Sequence, residues 1–322
     1  MSHLDVRKSE HSKRISSELV GRLPDVAWRT RFAPAPTGFL HLGHIVNAIH
    51  VWGLARAYGG EVLLRMEDHD RKRCRTDFET ALLDDLDWLG FAPDIGATSE
   101  FRQGAHTLRQ SDNSARYDSA LNALAERNLL YGCACSRRDI ETASTSSDAE
   151  ELRYPGTCAA RGVDQQSTTA RRIRLTPFEQ SFNDLRLGAQ FQTPSLQCGD
   201  FLLRDRFAQN TYQFSVAVDD FEQKIDVIIR GEDLLASTGR QLQLARILGR
   251  TEQPLFFHHT LLRRPDGLKL SKSLGDTGVR EMRVCGMSAE QVLGKAAHAA
   301  GLIANPDPLS QAQVKNLFLP TA

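Results

Sequence analysis

The chain has 322 residues, of which 41% are hydrophobic, 25% charged and 7% aromatic. This length predicts two domains, or one domain with a large insertion, and the composition is typical of a packed core and excludes a largely disordered chain. Basic and acidic side chains both number 40, so the chain has no net charge with which to hold nucleic acid uniformly, and any such contact requires a local basic patch.

The first residues, 1–27, are predicted to form a polar extension that lacks the apolar stretch of a signal peptide. No later run is apolar enough to cross a membrane, so we expect a cytoplasmic protein. The first strand is predicted at 28–32, and Pro34 and Pro36 must end it because proline supplies no N–H to a ladder. Apolar residues at helical spacing between Ile45 and Ala55 then predict a helix.

Strands and helices continue to alternate along the chain. Residues 61–66 contain the continuous apolar run of a strand buried on both faces, and a helix is predicted from Asp77 to Leu89. The pattern returns later, with strands predicted at 224–230 and 256–262 on either side of a helix at 234–248. This alternation predicts an α/β fold with a parallel sheet.

Residues 130–200 differ in sequence pattern from the α/β segments before and after them, because they combine cysteines, Gly/Pro turns and short runs of alternating polarity. They are interpreted as an insertion, and their basic pair Arg171-Arg172 is expected to be solvated, with contact to nucleic-acid phosphates as the alternative. The predicted divisions are a polar extension (1–27), the first half of the α/β domain (28–129), the insertion (130–200), the second half (201–287), and a short C-terminal helix and stub (288–322).

The string from Arg31 to His44 reads RFAPAPTGFLHLGH and joins the first strand to the first helix. Helix N-termini present unpaired N–H groups and a partial positive charge, so they hold phosphates. Gly43 would let a ligand approach the backbone, and His41 and His44 could donate to phosphate oxygens. The same spacing also suits a capped surface turn or an i,i+3 pair of metal ligands.

A second string, Lys269-Leu270-Ser271-Lys272-Ser273, follows the last predicted strand. Two lysines and two hydroxyls within five residues can reach a polyphosphate and neutralise charge that develops on it. By itself, so short a string is more typical of a solvated surface loop.

The six cysteines do not indicate a disulfide framework in a cytoplasmic chain. Cys133 and Cys135 stand almost together, and so short a spacing more often indicates a shared metal than a coincidence.

Taken together, the two strings resemble the signatures of class I aminoacyl-tRNA synthetases, and the long first string resembles their glutamyl/glutaminyl branch. Three further strings are similar to that branch, namely 65–70 (RMEDHD), 212–220 (YQFSVAVDD) and 229–234 (IRGEDL). The resemblance implies a Rossmann-type parallel sheet with an inserted, zinc-bearing subdomain that is similar to an acceptor-binding domain.

Within that branch the chain resembles the glutamyl-Q tRNA(Asp) synthetases, which attach glutamate to the queuosine base in the anticodon of tRNA(Asp). The 49 residues after Ser273 are too few for an anticodon-binding domain. The family's zinc pattern, C-x-C followed by Y-x3-C, matches the set Cys133, Cys135, Tyr154 and Cys158. The resemblance therefore implies one structural zinc ion, since all four positions are protein ligands. The interval of 18 residues between Cys135 and Tyr154 is long for the family.

The resemblance also implies residue roles. The catalytic residues would be His41, His44 and Lys272. ATP, accompanied by Mg²⁺, would be bound by His41, Gly43, His44, Lys269, Ser271 and Lys272. Glutamate would be bound by Arg31, Phe32, Ala33, Pro34, Ala35, Glu67, Tyr212 and Arg230.

Within the glutamate set, charge suggests a division of labour. Arg31 and Arg230 are the candidate cations that would bind the side-chain carboxylate of glutamate. Glu67 is the candidate anion for its ammonium group, and Tyr212 is a hydrogen-bond donor or an element that shapes the pocket. Ala35 stands where the family usually has Ser or Thr, so one hydroxyl contact is in question. At the zinc site, excess negative charge could be offset by Arg137, Arg138 and Arg153.

The expected partners are L-glutamate, ATP and queuosine-containing tRNA(Asp), without a membrane. A monomer is favoured, although the sequence does not determine the oligomeric state. Two other functions stay open: a truncated glutamyl-tRNA synthetase that acts at a tRNA acceptor end, and a non-catalytic, tRNA-binding paralogue. A nucleotidyltransferase of the same superfamily would lack the zinc cysteines and the strings of the glutamate pocket.

Overall fold

The computed structural model describes residues 23–24, 27–143, 151–164, 170–262 and 278–320. The strands are β1 (Arg29–Phe32), β2 (Glu61–Leu64), β3 (Leu130–Gly132), β4 (Arg171–Ile173), β5 (Gln180–Asp184), β6 (Gly188–Gln192), β7 (Leu202–Arg204), β8 (Val227–Gly231) and β9 (Leu255–His259). The α-helices are α1 (Leu42–Ala57), α2 (Thr76–Leu89), α3 (Thr98–Arg102), α4 (Ser114–Glu126), α5 (Arg137–Ala143), α6 (Thr157–Ala160), α7 (Pro194–Gln197), α8 (Tyr212–Glu222), α9 (Thr238–Ile247), α10 (Val279–Val284), α11 (Ala289–Ala299) and α12 (Gln311–Val314).

The described strands form both parallel and antiparallel pairs. β1 pairs with β2 in parallel, and β8 pairs with β9 in parallel over five residues. The backbone N–H of Asp226, just before β8, donates to the carbonyl of Arg29 at 2.9 Å, so β8 lies beside β1. The α/β class predicted from the sequence is confirmed. The sheets are mixed rather than purely parallel, since β5–β6 and the separate β3–β4–β7 sheet are antiparallel.

β5 and β6 lie within the predicted insertion, yet they extend the sheet of the second half. Their sheet has the order β6-β5-β9-β8, and the contact with β9 is parallel. The domain boundaries drawn from the sequence stay a prediction. The helix predicted at 234–248 begins as a 3₁₀ turn (Glu232–Ser237) and is α-helical as α9.

Helix α1 is buried along most of its length because it packs against the sheet on one side and the C-terminal residues on the other. A Cβ added at Gly53 would lie 2.1 Å from the ring of Phe318, so glycine makes room for that ring. The hydroxyl of Tyr58 donates to the carbonyl of Phe318 at 2.5 Å. The segment expected to be a stub is therefore part of the core.

Among the helices of the described residues, none combines the length and the apolar character that a membrane span requires.

Candidate functional site

A cavity of about 390 Å³ opens where β1 and β8 end and α1 begins. Ligands of open α/β sheets bind at the carboxyl ends of the strands, which is where this cavity lies. The predicted site residues that line it are Arg31, Ala33, His41, Gly43, His44, Glu67, Tyr212 and Arg230. The lining residues to which the sequence assigned no individual role are Asn47, Ile229, Gly231, Asp233, Leu234, His259, Leu261 and Leu262.

The two histidines of the first string cap helix α1. Nδ1 of His41 accepts from the backbone N–H of Gly43 at 3.1 Å, and Nδ1 of His44 accepts from the backbone N–H of His41 at 3.1 Å. A neutral imidazole that accepts at Nδ1 carries its proton on Nε2, so these bonds assign both rings to the Nε2–H tautomer. The ring centroids are 4.0 Å apart, which brings two N–H donors close together at a helix N-terminus. This arrangement suits the oxygens of a phosphate.

Gly43 is required by the ring of His41 rather than by its own backbone angles. A Cβ at this position would lie 2.9 Å from Cε1 and 3.1 Å from Nδ1 of His41. We expect Gly43→Ala to displace that ring and lower kcat/KM for ATP by about tenfold, because a catalytic hydrogen bond depends on its geometry. Pyrophosphate exchange at varied ATP would measure the loss. Gly59→Ala, at the opposite end of α1, is the control; equal loss in both variants would contradict the prediction.

Arg31 lines the cavity, but its charge is already paired. Its Nε donates to Oδ1 of Asp220 at 3.0 Å, and its Nη1 donates to the carbonyl of Ile229 at 3.3 Å. Arg65 donates to the same Asp220 at 2.7 Å. Burial acts to raise the pKa of Asp220, but the two guanidinium groups outweigh it and hold that pKa well below its ordinary value.

Arg230 differs from Arg31, since it has no ion pair within the described residues. Its guanidinium donates to three neutral side chains, Nε2 of His258 at 3.0 Å, Oε1 of Gln241 at 2.7 Å and Oγ1 of Thr238 at 2.8 Å, and to the backbone carbonyl of Leu234 at 3.5 Å. The residue is only 4% exposed. Burial lowers the pKa of Arg230 to about 10, so it remains a cation at neutral pH. Of the two predicted cations, Arg230 is the better prepared to bind an incoming carboxylate.

Glu67 and Tyr212 give the cavity an anion and a hydroxyl donor. Oε1 of Glu67 accepts from Nη2 of Arg65 at 2.8 Å, while Oε2 has no hydrogen bond within the described part of the chain. Burial, followed by the nearby carboxylate of Glu67, raises the pKa of Tyr212 to about 12. Tyr212 is therefore a protonated phenol at neutral pH and can donate.

Three of the residues predicted to bind glutamate, Phe32, Pro34 and Ala35, do not line the cavity. Phe32 points into the core, where its ring centroid lies 5.2 Å from that of Trp52. Pro34 supplies a backbone carbonyl to the N–H of Glu67 at 3.1 Å, and Ala35 supplies one to the N–H of Thr37 at 2.8 Å. They shape the loop through the backbone. Lys269, Ser271 and Lys272 lie outside the described residues.

The predicted zinc ligands lie close together between the end of β3 and helix α6. The sulfur atoms of Cys133, Cys135 and Cys158 lie within 4.8 Å of one another, and those of Cys135 and Cys158 are 3.4 Å apart. Oη of Tyr154 is 3.8 Å from the sulfur atoms of both Cys133 and Cys135. A tetrahedral ion with Zn–S bonds of 2.3 Å separates its sulfur ligands by about 3.8 Å, so the donor set fits zinc in kind and spacing.

The arginine that contacts this cluster is not one of those expected from the sequence. Arg172, predicted to be solvated, is 7% exposed, donates from Nε to the sulfur of Cys133 at 3.1 Å and lies 3.6 Å over the ring of Tyr154. Arg137 instead pairs with Glu141 at the surface, Arg138 is exposed, and Arg153 donates to the carbonyl of Ser195. The expectation was wrong because β4 turns Arg172 inward.

Two of the residues that the sequence reasoning missed had a detectable signal. Asn47 lies three residues after His44 on the same helix, which is the spacing that puts two side chains on one face. His259 lies at the end of β9 and faces Asn47, with 3.2 Å between Nε2 and Oδ1. Helical spacing from His44 could have identified Asn47. The rule that ligands bind at the carboxyl ends of strands could have identified His259.

Comparison with known proteins identifies relatives along most of the chain. Residues 27–292 match the family described as tRNA synthetases class I (E and Q), catalytic domain. A glutamyl-Q tRNA(Asp) synthetase from Rhodobacter capsulatus is 37% identical over 281 residues, covering 82% of this chain and 97% of that protein. Glutamate–tRNA ligase 2 from Syntrophus aciditrophicus is 38% identical over 275 residues, and the match spans 82% of this chain but only 56% of that longer protein.

Solved structures share the fold at lower identity. A glutamate tRNA ligase from Elizabethkingia meningosepticum, crystallised with its amino acid, has a TM-score of 0.68 and 24% identity, covering 84% of this chain and 60% of that one. The synthetase from Elizabethkingia anophelis has a TM-score of 0.70 at 24% identity, with coverage of 84% and 61%.

Proposed function

Because the chain belongs to the family of class I glutamyl- and glutaminyl-tRNA synthetases, we propose that it activates L-glutamate with ATP and transfers it to the queuosine base in the anticodon of tRNA(Asp). Support for queuosine as the acceptor comes from curated relatives named glutamyl-Q tRNA(Asp) synthetase. One from Pseudomonas fluorescens is 40% identical over 243 residues, and one from Symbiobacterium thermophilum is 37% identical over 304 residues.

The observation that carries the proposal is the composition of the cavity. It is lined by the histidine-capped end of α1, by a buried cation at Arg230, by an anion at Glu67 and by the phenol of Tyr212. An amino acid with a second carboxylate needs a cation for its side chain and an anion for its ammonium group. The cavity offers both beside a phosphate-binding helix end, which suits glutamate and ATP together.

The chemistry needs no general base in the first step, because a carboxylate is already ionised at neutral pH. An oxygen of the glutamate α-carboxylate attacks the α-phosphorus, and the bond to pyrophosphate breaks. His41 and His44 would donate from Nε2 to phosphate oxygens and stabilise the charge that develops there. Mg²⁺ would neutralise part of the phosphate charge, and Lys269, Ser271 and Lys272 are proposed to contribute on the side of the leaving group. A tRNA hydroxyl then attacks the glutamyl carbonyl, and AMP leaves.

The cysteine cluster is proposed to hold one structural Zn²⁺. Cys133, Cys135, Tyr154 and Cys158 would all be ligands, so no position would remain for a reacting water molecule. When bound, the ion would hold β3 to the segment around α6. Arg172 would balance the negative charge of the thiolates.

A second candidate is a glutamyl-tRNA synthetase activity at a tRNA acceptor end. It is favoured by the 38% identity to the Syntrophus protein named glutamate–tRNA ligase 2. The two candidates share the first step and differ only in the hydroxyl that attacks. A third candidate is a non-catalytic, tRNA-binding paralogue. Such a protein would bind tRNA but would show no pyrophosphate exchange.

Labelled glutamate, ATP-Mg²⁺ and tRNA(Asp) prepared with or without queuosine would test the proposal, with nuclease mapping of the product. We expect label on the anticodon fragment only when queuosine is present. Label at the 3′ end of tRNA(Glu) in a parallel reaction would instead establish the second candidate. Absence of both label and pyrophosphate exchange would refute both enzymatic functions.

A further inference from the structure

The buried cation of the cavity is held by a chain of two further residues. Nε of Arg230 donates to Nε2 of His258 at 3.0 Å, and Nδ1 of His258 donates to Oδ2 of Asp184 at 2.7 Å. Asp184 and His258 are both fully buried. Neither is among the described residues that line the cavity. A carboxylate, an imidazole and a guanidinium therefore stand in line, with only the guanidinium at the cavity.

The hydrogen bonds fix the tautomer of His258. Because Asp184 accepts from Nδ1, the proton of a neutral imidazole sits there and Nε2 keeps its lone pair for Arg230. Asp184 is itself fixed, since Oδ1 accepts the backbone N–H groups of Arg186 at 2.9 Å and Leu187 at 2.8 Å. The backbone N–H of His258 also donates to Oδ2 of Asp184 at 3.0 Å.

Arg230 needs such a support because opposite charges are near. Glu67 and Asp233 line the same cavity. A guanidinium with a flexible side chain would pair with one of them in the absence of substrate and would then be misplaced for the substrate carboxylate. A neutral acceptor behind the guanidinium holds it without consuming its charge.

We propose that Asp184 and His258 are positioning residues that hold Arg230 in place to bind the side-chain carboxylate of the amino acid substrate. The inference rests on the proposed function, since it assigns Arg230 to that carboxylate. Asp184 sets the tautomer of His258, and His258 fixes Nε of Arg230. Together with the bonds from Nη1 to Gln241 and from Nη2 to Thr238, this contact holds the guanidinium in one orientation at the cavity, with the second N–H of Nη1, unpaired among the described residues, left for the substrate.

Two substitutions at His258 separate this role from a merely structural one. In His258→Gln, the amide oxygen can occupy the place of Nε2 and still accept from Arg230. In His258→Asn, the amide can occupy the place of Nδ1 and satisfy Asp184, but Nε of Arg230 loses its acceptor. We expect His258→Asn to raise KM for glutamate in pyrophosphate exchange by about tenfold, with KM for ATP changed less than about twofold. His258→Gln should stay within about threefold of the wild type for both.

Asp184→Asn tests the tautomer. An asparagine that donates to Nδ1 forces the imidazole proton to Nε2, where it faces Arg230. In a chain that keeps His258, we expect Asp184→Asn to raise KM for glutamate. Added to His258→Gln, the same substitution should change KM little further, since glutamine has no tautomer to set. Additive effects in the double variant, or a greater loss in His258→Gln than in His258→Asn, would overturn the inference.

An amino acid screen separates this inference from the proposed function. If the wild type exchanges pyrophosphate with glutamate but His258→Asn keeps its KM, the inference alone fails. If exchange requires another carboxylate-bearing amino acid, such as aspartate, the proposed function fails, and the variants assayed with that substrate still decide the inference. If no amino acid supports exchange, both are overturned.

Discussion

Replacing Arg230 with glutamine should lower kcat/KM for glutamate by roughly 100- to 1,000-fold, a loss comparable to that of one partner in a buried ion pair. Glutamine can keep a hydrogen bond to Gln241 or Thr238, so the change removes the charge more than the polar contact. Arg230 has no carboxylate partner within the described residues, and the substrate would supply the anion. Pyrophosphate exchange at varied glutamate, with ATP saturating, measures this effect.

The specificity of that loss is as informative as its size. The wild type should prefer glutamate to glutamine strongly, whereas Arg230→Gln should lose most of the preference, because the arginine that remains among the described residues of the cavity, Arg31, is already paired with Asp220. Arg29→Gln is the matched control, since Arg29 pairs with Glu61 at the surface and is not a lining residue of the cavity. Equal losses in the two variants, or an equal rise in KM for ATP, would contradict the assignment of Arg230.

The local parts of the site could be predicted from the sequence, and the long-range ones could not. His41, Gly43 and His44 are neighbours in one string, so the helix cap that joins them follows from spacing alone. The pair Arg31–Asp220 joins residues 189 positions apart, and no local pattern shows that this arginine is already neutralised. The sequence therefore named two equivalent cations, and only the tertiary contacts distinguish them.

The same limit applies to the fold. Periodicity predicted α1 and the strands on each side of it, because one element determines its own pattern. It could not predict that β5 and β6 join the sheet of the second half, or that Phe318 packs against Gly53. Arg172 illustrates the reason: in a basic pair it resembles a surface residue, and only the pairing of β4 with β3 turns it toward Tyr154.

Cys158→Ser should abolish binding of the proposed zinc ion, so that metal content falls from one ion per chain to nearly none, and should expose the segment around α6. The buried apolar cluster here is small, formed by Tyr131, Cys133, Tyr154, Cys158 and Ala170. So small a core cannot hold irregular chain by burial alone, whereas a structural zinc site contributes roughly 10 kcal/mol or more. Metal analysis of the purified protein and hydrogen exchange over 130–135 and 154–160 would measure both effects.

Cys198→Ser provides a matched control beside the same site. Cys198 is buried, and its thiol donates to the carbonyls of Pro194 and Gly199 rather than pointing at the other sulfur atoms. We expect this variant to keep its metal and its protection from exchange. Loss of zinc in both variants would mean that packing, not ligation, holds the cluster together; retention in both would exclude Cys158 as a ligand. Only loss confined to Cys158→Ser is consistent with a metal that joins β3 to α6.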